Sequence, residues 1–514
     1  MTPHNQEKIS PEIKFSSEWV PEGWEKVTLA HVGVITTGNT PPRKDSSNYG
    51  DAFPWVKPSD LDKDGFVTKT EEHLSEKGGK KARLLSTGAV MVSCIGNLGK
   101  VGIAGSTLAT NQQINSITFF DGLVDSKYGF FYCKTLKNWL EANASATTIA
   151  IINKKRFSQA PFLLAPLAEQ KRIVAKVDEL LARVNVVRER LAKVKEILKR
   201  FRQSALAAAC SGRLTADWKA AQPYLDPAQY FLDQVAKKRR REYEAECKKA
   251  KEERRKIPRE PSNLQPRKVE TDGLPELPDG WVWSYLPYLG YMNRGKSQHR
   301  PRNAPHLYGG PYPFIQTGDI AQSGGQITSH RQTYSEAGLA QSRLWPAGTV
   351  CITIAANIAN SAILTHPACF PDSVVGVIPD SDLCLAEYLE YFIQTAKADI
   401  DQFAPATAQK NINIAILSDV AVPLPPLSEQ EEIVHRVEAL FNLANGIDMR
   451  VAAAGGRSER LTNAILARAF RGELVPTEAE LARREGRPYE PASALLANIK
   501  TQRKNVKGKK IRVR

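Results

Sequence analysis

The chain repeats itself, and the repeat restricts its fold more than any single motif does. Pro166-Leu167-Ala168-Glu169-Gln170, followed by Ile173, Val174, Val177 and Leu180, returns 260 residues later as Pro426-Leu427-Ser428-Glu429-Gln430 with Ile433, Val434, Val437 and Leu440. The same interval relates Leu206 to Leu466, Gly212 to Gly472 and Leu214 to Leu474. Solenoid units run roughly 20 to 50 residues, so this period is a whole domain with its connector, and it implies a pseudo-two-fold molecule. Upstream, Pro21-Glu22-Gly23-Trp24 matches Pro278-Asp279-Gly280-Trp281, and Gly33 and Gly38 match Gly290 and Gly295, at an interval of 257. Loops absorb the drift, because Pro54-Trp55-Val56 and Asp60 match Pro313-Phe314-Ile315 and Asp319 at 259. Each half therefore runs from a Gly-Trp opening through a mixed region and a proline-rich hinge into a long helix.

The helices carry a heptad seam. Ile173, Val177, Leu180, Val184, Val187, Leu191, Val194, Leu198 and Phe201 alternate spacings of four and three, the edge that faces a partner helix. The second copy gives Ile433, Val437, Leu440, Ala444, Ile447, Val451 and Ala454, then Leu461 and Ile465. Ala444, Ala454 and the pair Gly455-Gly456 make it the weaker helix former. Matching seams within one chain point to an antiparallel pairing of the two copies, a rod about 60 Å long at 1.5 Å per residue. The competing reading is a coil that dimerises with another chain.

Composition bounds the partners. At 514 residues the chain holds several domains, and its net charge of +16 favours an anionic partner, nucleic acid being the commonest. Much of the excess lies in Lys237 to Arg241, Lys248 to Lys256 and the tail Lys500 to Arg514. These runs read either as a solvated helix face and a disordered tail or as phosphate contacts. Seven scattered cysteines (Cys94, Cys133, Cys210, Cys247, Cys351, Cys369 and Cys384) form no metal-ligand pattern and read as reduced thiols. Met1 to Ser17 is polar and no apolar run approaches the ~20 residues of a membrane span, so the expectation is a soluble, cytoplasmic protein.

Motifs for chemistry are missing or false. Gly290 to Ser297 fits the phosphate-cradling P-loop string, yet Pro301 and Pro305 follow where a helix should begin. The matching glycines of the first half, Gly33 and Gly38, are followed by Asn39-Thr40-Pro41-Pro42, so the two copies share a glycine-bracketed turn and no nucleotide site. No methyltransferase, metalloprotease or hydrolase string is present. What remains is short apolar strands, such as Ala89 to Val92 and Thr349 to Ile352, joined by polar turns at Gly96 to Gly99 and Asn357 to Asn360. Such loops suit readout of base edges and equally suit any soluble domain; the duplication favours the first reading, because two copies suit two separated half-sites.

The chain resembles the DNA sequence-specificity subunit of type I restriction–modification systems. The likeness rests on the two Pro-Leu-x-Glu-Gln helix starts, Leu198 to Ser204, Gly212-Arg213-Leu214-Thr215, Ala464 to Leu474 and the Pro-x-Gly-Trp openings. It implies an α+β fold: two mixed, β-rich target-recognition domains separated by two long antiparallel coiled-coil helices. The expected boundaries are an N-terminal arm (1–17), recognition domain 1 (18–160), a central helical region with a basic linker (161–270), recognition domain 2 (271–422), a distal helical region (423–498) and a basic tail (499–514). The resemblance also implies that each domain reads half of a split double-stranded DNA site and that the helices act as a ruler. They would dock two modification subunits that methylate adenine with S-adenosylmethionine, with ATP- and magnesium-dependent restriction subunits joining the assembly. No cofactor or metal is expected on this chain, no catalysis and no membrane. The DNA-facing positions it suggests are Gly38, Asn39, Thr40, Arg43, Lys57, Ser59, Asp60, Asn97, Lys100, Lys154 and Lys155 in the first half. In the second they are Gly295, Lys296, Ser297, Gln298, Gln316, Thr317, Asp319, Asn357, Gln409, Lys410 and Asn411. The first half departs from the pattern of the last loop, carrying Ile149-Ala150-Ile151 at the aligned place. Other readings are a related system with fused cleavage and methylation partners, and a DNA-independent coiled-coil scaffold.

Overall fold

The two halves of the repeat build the same sheet in the computed structural model, which describes residues 20–62, 65–145, 149–222, 224–261, 263–299, 301–355, 359–402 and 412–498. In the first half the five strands lie in the order Gly33–Thr37, Ile114–Phe119, Val90–Ser93, Val101–Ala104, Phe66–Val67, with only the last pairing parallel. The second half repeats the order with Gly290–Arg294, Val374–Pro379, Val350–Thr353, Ser361–Leu364 and Gln326–Ile327, again parallel only at the end. The central strands Val90–Ser93 and Val350–Thr353 are buried at every residue, which is why each reads as an apolar run without alternation. Helices Ser126–Thr135 and Ala386–Gln402 contribute Tyr128, Tyr132, Tyr388 and Leu389 to the cores beneath them.

By its internal contacts the chain forms two compact units: residues up to 192 with those from 452 onward, and residues 193–451. Each long helix, Leu167–Cys210 and Leu427–Phe470, contributes one segment to each unit, and at 44 residues each spans about 66 Å. The pairing is antiparallel in both units. In the first, Arg188 donates to Thr462 Oγ1 (3.0 Å) and the Ser458 carbonyl (3.5 Å). In the second, Arg202 meets Asp448 Oδ2 (2.6 Å) and Asn445 Oδ1 (3.0 Å). The seam residues Ile173, Val177, Val184, Leu198, Ile433, Val437, Ala444 and Val451 are buried, while Leu180, Leu191, Val194, Leu440 and Ile447 are half-buried. Two seam expectations fail: Val187 is 46% and Leu461 52% exposed. There the interface is polar and small, with Ser458 buried and the Arg188 guanidinium bonded to Thr462, so large apolar side chains turn outward. The second helix also runs unbroken through Gly455-Gly456, held by its partner in spite of the low propensity of glycine.

The start of each long helix is where domain and rod join. Glu169 is buried and accepts from Trp24 Nε1 (2.9 Å) and from the Glu478 N–H (2.9 Å). Glu429, equally buried, accepts from Trp281 Nε1 (2.8 Å) and from the Thr215 hydroxyl (2.9 Å). The neighbouring glutamines tie down the loop that leads to the covering helix. Gln170 donates to the Leu123 and Ala165 carbonyls (2.9 and 2.8 Å) and accepts from the Asp125 N–H (2.9 Å). Gln430 does the same with Leu383, Pro425 and Leu385 (2.8, 2.9 and 2.9 Å). The Pro-Leu-x-Glu-Gln motif thus satisfies buried polar groups, which is costly to leave undone.

The linker forms a helix whose start is repeated after the second long helix, the Ala228 N–H bonding the Gly280 carbonyl (2.8 Å) as the Ala492 N–H bonds the Gly23 carbonyl (2.9 Å). Ala228–Glu252 buries Leu232 and Val235, and Arg239 bonds Asp380 (2.8 Å) and the Tyr288 carbonyl (2.9 Å) while Lys238 pairs with Asp382 (2.7 Å). Part of the basic run is therefore structural, and Lys237, Arg240, Arg241, Lys248 and Lys249 remain exposed. All seven cysteines are free thiols. Among the described residues, no helix is long and apolar enough to cross a membrane.

Two outcomes follow for stability. A Cβ at Gly455 or Gly456 would meet nothing within 4 Å, so G455A and G456A are each expected to raise unfolding free energy by about 1 kcal/mol in a denaturant melt. Burial pushes the Glu169 carboxyl up to about 7 against the opposing pull of its hydrogen bonds and Arg172. The folded state then holds a proton that the unfolded chain has released, so this contribution is complete below about pH 4.5 and is lost as pH rises to about 7, about 3 kcal/mol in all. Urea melts across that window should show a decline in the natural chain that is shallower by this amount in Glu169→Gln, the remainder including buried Glu390, whose carboxyl burial pushes up to about 8.

Candidate nucleic-acid interface

In each unit the polar loops gather at one end of the five-stranded sheet. In the first, the strand Gly33–Thr37 ends there and Ile114–Phe119 begins there, joined by Gly38 N–H to the Ile114 carbonyl (3.1 Å) and by Thr37 Oγ1 to Asn115 Oδ1 (2.6 Å). Asn115 Nδ2 reaches the Ile152 carbonyl (3.1 Å), and the Gly96 N–H bonds the Ala150 carbonyl (3.0 Å), so the segment before Lys154 and Lys155 lies beside the turn that holds Asn97 and Lys100. Lys154 and Lys155 open a short helix capped by Asn153 and are exposed, as is Asn97. Lys100 is half-buried, its N–H bonded to Ser93 Oγ (2.9 Å).

The loop 38–43 is built by its own polar groups. Asn39 spends its side chain on the Lys81 carbonyl (3.0 Å) and the Arg83 N–H (3.0 Å), and Thr40 bonds Gln112. An added Cβ at Gly38 would strike the Asn111 carbonyl, and one at Gly295 the carbonyl of Phe370 or Pro371. This close approach explains the repeated glycines and removes the P-loop, since Gly290–Arg294 is a strand. At the next loop, Asp60 is buried and accepts from the Lys57 N–H (2.8 Å), while Ser59 is exposed. Lys57 and Arg43 lie 5.4 and 5.6 Å over the Trp55 ring, and both pair with Glu72.

The second unit repeats the frame with different side chains. Gln298 and His299 donate their N–H groups to Gln341 Oε1 (2.6 and 3.0 Å), Ser297 is buried near the Tyr334 hydroxyl (3.4 Å), and Lys296 is exposed. Asp319 accepts from the Gln316 N–H (3.0 Å) and pairs with Arg331 (3.4 Å), and Thr317 starts the helix that follows. Arg343 lies 4.6 Å over Tyr291 and 4.5 Å over Trp345. It stands 260 residues from Arg83, whose guanidinium bonds the Thr37 carbonyl (2.8 Å), so both domains carry an arginine at this edge. Asn357, Gln409, Lys410 and Asn411 lie outside the described residues. Among the described residues no group of three or more His, Cys, Asp or Glu could hold a metal ion.

The sequence model described as the type I restriction modification DNA specificity domain matches residues 21–196 and 293–451. The chain belongs to this family. It is 25% identical over 510 residues to the type I restriction enzyme EcoBI specificity subunit of Escherichia coli, covering 96% of this chain and 94% of that one. Against the EcoDI specificity subunit, also of Escherichia coli, identity is 29% over 382 residues, covering 72% and 74%. A solved chain from work on complex assembly and conformational transition of the type I R-M system shares the fold, with a TM-score of 0.63 at 20% identity, covering 89% of this chain and 100% of that one. As a type I specificity subunit the chain serves DNA recognition, and its two family matches fall one in each half of the repeat.

Within this specificity subunit, sequence reasoning missed Glu72, Gln332, Arg83 and Arg343. The two arginines could have been found from the repeat interval; the other two are brought to Lys57 and Gln316 only by strand pairing. Replacing Gly38 or Gly295 by alanine should cost about 1–3 kcal/mol by overpacking and lower the melting temperature of the full chain.

Proposed function

We propose that this specificity subunit reads a two-part double-stranded DNA site, one part with each sheet-end loop cluster, while the unbroken helices act as the ruler that sets the interval. The chain supplies specificity and no catalysis. Two modification subunits dock on it and carry S-adenosylmethionine for adenine methylation; restriction and translocase subunits carry ATP and magnesium. The assembly works in the cytoplasm. The observation that carries this reading is the duplication of one loop-bearing frame with unlike side chains on it: Lys57, Glu72 and Arg43 in the first, Gln316, Gln332 and Arg331 in the second. A shared frame with divergent loops is what reading two different sequences requires. The basic balance of +16 supplies attraction for the phosphate backbone.

Binding of the full chain with its modification subunits to duplexes of the selected site should fall at least tenfold when a single base pair is inserted between the two parts. Affinity should also drop about a thousandfold between about 50 and 200 mM salt if six or so phosphates are neutralised. Binding indifferent to the insertion would end the ruler, and a flat salt response would end DNA as the ligand.

A further inference from the structure

One backbone position is the same in both domains and carries opposite chemistry. The Trp55 N–H bonds the Glu72 carbonyl (3.0 Å), and Phe314 is the strand partner of Gln332. Two residues past each ring, Lys57 and Gln316 open the same turn, their N–H groups accepted by Asp60 (2.8 Å) and Asp319 (3.0 Å). The side chains at this position then cross to the neighbouring strand. Lys57 pairs with Glu72, which also takes Arg43 (3.4 Å), whereas Gln316 Nε2 donates to Gln332 Oε1 (2.6 Å).

We propose that each pair reads one base pair in the major groove, Lys57–Glu72 a G·C pair and Gln316–Gln332 an A·T pair. The assignment rests on the DNA-reading role proposed above and adds to it which bases two of the positions select. Each pair presents an acceptor beside its donors, Glu72 in the first and Gln316 Oε1 in the second, which a base edge can match and a phosphate, an acceptor only, cannot. After bonding Glu72, the Lys57 ammonium keeps two donors for guanine N7 and O6, and Glu72 can accept from the cytosine N4 amine. Stacking over Trp55 keeps the two cations in place. In the second domain the bond to Gln332 orients the Gln316 amide and leaves it one N–H and Oε1, the donor and acceptor that adenine N7 and N6 require. Glu72 and Gln332 are thus specificity-determining residues: one accepts from a base, the other aims its neighbour.

The test is selection from duplexes of randomised sequence with the full-length chain and its modification subunits, followed by sequencing of the bound pool. The natural chain should enrich a two-part motif. The double variant K57Q/E72Q should change one G·C position to A·T in one part, with about a tenfold change of preference, and leave the other part and the interval unaltered. Q316K/Q332E should do the reverse in the other part. Lys57→Arg should keep the G·C position, since it keeps the donors. The proposal is overturned if both double variants recover the natural motif, or if they lose affinity equally across all sequences. It is also overturned if Lys57→Arg abolishes every position of its part as K57Q/E72Q does, because the pair then supports the fold and reads nothing. A natural chain that enriches no motif overturns the function on which the pair assignment rests, together with the assignment.

Discussion

A buried carboxylate at the first turn of each long helix is the contact on which the rest depends. Glu169 and Glu429 each take the indole N–H of the tryptophan that opens their domain, and each takes a second donor from the segment that follows the other long helix. Opening strand, helix start and returning chain therefore meet at one pair of oxygen atoms. Because a buried charge or polar group unsatisfied on one side costs several times what a surface contact gains, this junction tolerates little change. The sheet-end loops carry no such obligation beyond their own turns. Rigid junctions and permissive loops let one scaffold present many surfaces.

Most of the scaffold was legible because it is written in spacing. The heptad residues from Ile173 to Leu198 and from Ile433 to Val451 form the helix pair, and the repeated glycines mark backbone approach at Gly38 and Gly295. Spacing alone failed where neighbours decide. Val187 and Leu461 fit the seam yet face outward, because the interface beside them is made of Ser458, Thr462 and an arginine. Gly455-Gly456 looked like a weak point, and the helix passes through it because tertiary packing outweighs propensity.

The loop clusters were legible only in outline. Lys57 and Gln316 stand at positions that the repeat aligns, but the residues that give them meaning come from strands fifteen or sixteen positions away, and no periodicity announces Glu72 or Gln332. Asn39 shows a second role that a polar loop residue can take: its amide bonds the Lys81 carbonyl and the Arg83 N–H and shapes the loop.

The first unit is closed by residues from 452 onward, whereas the second is a continuous stretch, 193–451. Phe470, whose ring lies 5.3 Å from Tyr128 and 5.0 Å from Tyr132, belongs to the core of a domain that also holds Trp24, about 450 residues earlier in the chain. On the ribosome the order of synthesis and the order of completion must therefore differ. The domain made first waits with an open core, its Glu169 bonded to Trp24 but without the Glu478 N–H, until residues beyond 478 have emerged, while the domain made second can close as soon as it is released.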